Sequence, residues 1–173
     1  MKIELDWLRE YIDTDLDAKE LGYLLTMAGL EIEALEVVKL SDGTKKEVLE
    51  LNVTPNRGYC LSYFGVAREV AGLIGKPFLR PSFEKELEKN WGEGLVEEEL
   101  EVDNRELELC LRYSGMVIEN IKPGPSPKWL VDRLTSIGLR SVNNVVDVTN
   151  FVLMEHGQPL HAFDKDLLSG SRI

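Results

Sequence analysis

Between Arg80 and Asn104 the chain loses all regular apolar spacing. The stretch RPSFEKELEKNWGEGLVEEELEVD is polar, strongly acidic and aperiodic, while both flanks carry clear helical and strand periods. A segment of this kind cannot thread a packed core, because its charges and backbone groups need water. It predicts a small first unit over 1–80, a linker over 81–104 and a second unit over 105–173, with Trp91 and Leu95 as points where the linker tacks to one of them. Mixed helices and strands on both sides make the fold class α+β.

Local signals fill in the first unit. A short helix is expected around Asp6–Tyr11, with Trp7, Leu8 and Tyr11 inward. Asp17 followed by Glu20 is a capping box opening a helix over 17–28, whose Leu21, Leu24, Leu25 and Ala28 share one face and whose end is marked by Gly29. Apolar alternation over 32–38 and 48–53, joined through Asp42-Gly43, predicts an antiparallel hairpin. Leu61, Phe64, Ala67, Val70, Ala71 and Ile74 predict a helix over 61–74, stopped by Gly75 and Pro77. In the second unit, Leu109, Leu111, Tyr113, Met116, Val117 and Ile118 suggest two short strands split at Ser114-Gly115. Ser126-Pro127 reads as N-cap and first turn of a helix with Leu130, Leu134 and Ile137 inward and Gly138 at its end. A last helix, 144–155, carries Val145, Val148, Phe151 and Val152 before Gly157, and a strand begins near Ile173.

Charge and composition narrow the function. The formal net charge is −11, which opposes broad binding to nucleic acid, a process driven by cationic side chains releasing counterions. No run approaches the roughly 18 apolar residues of a membrane helix, and MKIELDWLREYIDTD lacks the apolar core of a signal peptide, so a cytoplasmic location is expected. Cys60 and Cys110 are expected to be reduced thiols, and with two histidines no metal cluster is expected. Phosphate-cradling glycine loops and the common hydrolase motifs are missing, so no cofactor is expected on this chain.

Two stretches are denser in polar and turn-forming residues than packing requires. In TPNRGYCLS (Thr54 to Ser62), Asn56 tolerates unusual backbone angles, and the planar fork of Arg57 suits a carboxylate or strand C-termini. A strand-to-helix turn in which Asn56 and Arg57 satisfy backbone groups is the alternative. In DVTNFVLMEHGQPLHAFD (Asp147 to Asp164), the hydroxyl of Thr149 and the imidazole of His161 converge if the chain folds back after Gly157. Either histidine is otherwise a hydrogen-bonded surface group.

Taken together, TPNRGYCLSYFGVAREVAGLIGKP, LRSVNNVVDVTNFVLMEHGQPLHAFD and the opening MKIELDWLREYIDTDLDAKELGYLLTMAGLEIEAL resemble the bacterial phenylalanyl-tRNA synthetase β subunit, in the same order and over nearly the whole chain. The resemblance implies that the first unit is that subunit's amino-terminal domain and the second the beginning of its editing domain, which removes tyrosine wrongly attached to the phenylalanine tRNA. It implies that Thr149 and His161 line the editing pocket, His161 positioning the ester or the attacking water. It implies an α subunit and tRNA as partners of the parent enzyme, which uses ATP and Mg2+. Three departures stand out. KLSDGTKK joins the hairpin strands where the family usually inserts an OB-fold-like tRNA-binding domain. Tyr59 occupies a position that is normally Asp. Ile173 precedes the glycine-rich loop and glutamate that complete the family's pocket. The chain is therefore expected to be a fragment or shortened relative with a scaffold and partial-pocket role, inactive alone, binding tRNA weakly, and prone to self-association through apolar surface around Phe151, Phe163 and Leu168. A trans-editing hydrolase and a free-standing RNA- or protein-binding module are the alternatives.

Overall fold

A computed structural model describes residues 1–83 and 100–173; the expected acidic linker, with Trp91 and Leu95, falls largely outside them. The chain divides into two compact units, one of residues 1–81 and 123–160, the other of residues 82–122 and 161–173.

The first unit is built on a three-stranded antiparallel sheet of order β1-β3-β2, from Lys2–Glu4 (β1), Glu31–Lys39 (β2) and Lys45–Asn52 (β3). The expected hairpin is β2–β3. Its turn closes through the Leu40 N–H donating to the Thr44 carbonyl at 2.8 Å and the Thr44 N–H donating to Asp42 Oδ1 at 2.9 Å. Gly43 sits at φ +88°, where an L side chain would be strained. β1 was not foreseen. It is three residues long, too short for alternation to show, and exists because Ile3 pairs with Leu49 in the core.

Helix α1 (Leu5–Leu8) begins earlier than expected because Glu4 caps it, its carboxylate accepting from the Asp6 and Trp7 N–H groups at 3.0 Å each. Glu4 is buried, and burial holds its carboxyl above the usual range against those two bonds and the Lys46 ammonium. Helix α2 (Ala18–Met27) carries the capping box read from Asp17 and Glu20. Helix α3 (Tyr63–Ile74) is capped by Ser62, whose Oγ accepts from the Gly65 N–H at 3.1 Å, and ends at Gly75 with φ +67°. A Cβ on Gly65 would stand 1.8 Å from the Tyr59 carbonyl oxygen, so the preceding turn can pack on α3 only through glycine.

Helices α4 (Lys128–Ser136) and α5 (Asn144–His156) belong to this same unit, which differs from the expected unit over 105–173. Ile137 joins the first unit's core, and Leu139, Phe151 and Met154 pack against it. Burial of apolar area decides this, since these side chains find cover on the core of α1, α3 and β3. Phe151 is thus partly buried against this core, where exposed apolar surface was anticipated around it. The inward stripe of α5 is Asp147, Phe151, Met154 and Glu155, which leaves Val148 48% exposed rather than inward. Ser126 does not cap α4; its hydroxyl donates to Asp147, and Pro127 occupies the cap with no side-chain bond.

In the second unit the two strands expected over 107–118 are not formed. The apolar side chains there have no ladder to join among the described residues and stay largely exposed. Near Ile173, where a strand is expected, the chain forms only an isolated parallel bridge between Glu101 and Arg172: the Ile173 N–H donates to the Glu101 carbonyl at 3.0 Å and the Asp103 N–H donates to the Ile173 carbonyl at 2.9 Å.

Candidate functional site

The turn Pro55–Cys60 carries the first motif. Thr54 Oγ1 donates to Asn56 Oδ1 at 2.7 Å, tightening the entry. Arg57 donates to Glu69 Oε2 at 3.3 Å, and Tyr59 donates to Glu69 Oε1 at 2.7 Å. Both therefore converge on one carboxylate of α3. The hydrogen bond to Glu69 raises the Tyr59 hydroxyl above its usual range. Arg57 also lies against the end of α2, since a Cβ on Gly29 would be 3.7 Å from its Nη2. This constellation fixes the chain between β3 and α3. Tyr59, the departure from the family pattern, takes part in it directly.

The second motif is anchored by Asp147, which is fully buried at the start of α5. Its Oδ2 accepts from Ser126 Oγ and Ser141 Oγ, each at 2.5 Å, and its Oδ1 accepts from the Val142 N–H at 2.9 Å. Burial pushes this carboxyl up, but the two hydroxyls and the N–H outweigh it and hold it below the usual range. At the other end, Glu155 accepts from Tyr11 Oη and lies 3.0 Å from His156 Nε2, while the His156 ring packs 4.2 Å from Phe64. Trp7 Nε1 donates to the same Tyr11 oxygen at 3.2 Å. Burial, then the bond to Glu155, raises the Tyr11 hydroxyl well above its usual range.

Thr149 lies between these anchors. It is half-buried, and its Oγ1 donates to the Val146 carbonyl at 2.7 Å. His161 is exposed, with its ring 4.4 Å from Phe163. Thr149 belongs to the first unit and His161 to the second. Asn56 and Arg57 share one turn, and Arg57 reaches the carboxylate suited to its fork.

A cleft of about 310 Å3 in the first unit is walled by Trp7 and Trp129, with Arg133 stacked 5.3 and 5.6 Å from their rings. Its acids are already paired: Asp6 with Lys46 at 2.8 Å, Asp42 with Lys128 at 2.8 Å, Asp132 with Lys128, and Glu10 with Arg133. No local sequence signal pointed to it, because its walls come from segments more than a hundred residues apart. Among the described residues no group of His, Cys, Asp or Glu is arranged to hold a metal ion. No helix among the described residues is long and apolar enough to cross a membrane. Both cysteines are free thiols, Cys60 buried and Cys110 half-buried.

Residues 109–173 match the B3/4 domain family. Over most of its length the sequence is similar to phenylalanine–tRNA ligase beta subunits. It is 44% identical to the phenylalanine–tRNA ligase beta subunit of Rhodopirellula baltica over 164 residues, 95% of this chain and 23% of the relative. It is 46% identical to that of Geobacter sulfurreducens over 166 residues, 90% of this chain and 20% of the relative. It is 52% identical to that of Carboxydothermus hydrogenoformans over 126 residues, 73% of this chain and 15% of the relative. The chain thus spans less than a quarter of the length of the relatives quoted.

Proposed function

We propose that the chain is a scaffold element of the β-subunit type that presents part of an editing pocket, and that it does not itself hydrolyse or form an aminoacyl ester. The observation that carries this reading is the clamping of α5. Asp147 at its start, Phe151 in its middle and Glu155 at its end are tied into the first unit, so the backbone bearing Thr149 is held rigidly. Rigid presentation is what an editing pocket requires, because an apolar synthetic site rejects an added hydroxyl only weakly and a second site must sort the product. In this reading Thr149 and His161 line that pocket, with His161 orienting the ester or the water. A partner α subunit carries the ATP- and Mg2+-dependent synthesis, and tRNA is the shared ligand.

The charge of −11 and the acids around the cleft oppose independent capture of RNA. Filter binding of tRNA(Phe) across a salt series tests this. Weak retention with a shallow dependence on salt is expected. Tight retention that collapses steeply with salt would instead support a free-standing RNA-binding module.

A further inference from the structure

We draw no further inference here: the strongest candidate, the cleft of the first unit walled by Trp7 and Trp129, carries nothing, because its acids are paired with cations of the chain itself and nothing in the structure shows what fills or covers it.

Discussion

Trp7→Ala should cost about 3–5 kcal/mol, the usual range for truncating a large buried aromatic. Trp7 is 1% exposed and stacks on Tyr63 at 3.8 Å and on Phe151 at 5.1 Å. It therefore links α1, α3 and α5 in one aromatic column, with Arg133 of α4 over its ring at 5.3 Å. Against a typical domain stability of about 5–15 kcal/mol, the loss is a large fraction of the whole. Thermal denaturation should show a fall in Tm of roughly 10–20 °C. Proteolysis should reach 128–156 first, because those helices lose their seat while β2–β3 keeps its ladder. Trp7→Phe retains most of the stacking and loses the indole bond to Tyr11, so its effect should be much smaller. An unchanged Tm for Trp7→Ala would show that α4 and α5 do not depend on this column.

Asp147→Ala should cost about 3 kcal/mol, since a buried carboxylate accepting three bonds is removed and its donors lose their partner. Asp147→Asn keeps an acceptor for the Val142 N–H and should cost less. The pH dependence has a definite sign. The folded carboxyl is held below its unfolded value of about 3.9, so its stabilisation is present above that pH and is lost as pH falls through the folded value. Asp6, Asp42 and Asp103 are also held low by cationic partners and titrate in the same region. Urea unfolding of wild type against Asp147→Asn separates them, because only the difference reports Asp147. That difference should be largest near neutrality and shrink as pH drops below about 4. A difference that grew in acid would mean the carboxylate is not the stabilising form.

What the sequence made legible is what local chemistry encodes. The Asp17–Glu20 box, the Asp42-Gly43 hairpin, the helix expected over 61–74 and formed over Tyr63–Ile74, and the glycines at 29, 75 and 157 each depend on residues a few positions apart, and each is found. Features decided by distant partners were not legible. β1 exists through Leu49, the cap of α1 is a buried Glu4 stabilised from β3 by Lys46, and α4–α5 settle on the first core because Phe151 and Met154 find cover there. Strand-like alternation over 107–118 was read as strands, yet a strand needs a partner, and none lies among the described residues.

The candidate site divides along the same line. Arg57 was recognised as a fork for a carboxylate, but Glu69 as its target, and Tyr59 as a second donor to it, required the fold. Ser126 reads locally as a cap, and only Asp147, 21 positions on, explains why its hydroxyl turns away. Thr149 and His161 were chosen through the family resemblance. No spacing rule singles out those two among the polar residues of their stretch.

Whether the chain is a scaffold that presents part of a pocket without catalysis of its own can be tested with tRNA(Phe) charged with radiolabelled tyrosine. One oxyanion donor is worth about 3–4 kcal/mol in ester hydrolysis. Thr149 already spends its hydroxyl on the Val146 carbonyl. The intact chain should release tyrosine at the rate of buffer alone, and His161→Ala should change nothing. Release above buffer that disappears in His161→Ala would contradict this and make the chain a hydrolase of mischarged tRNA.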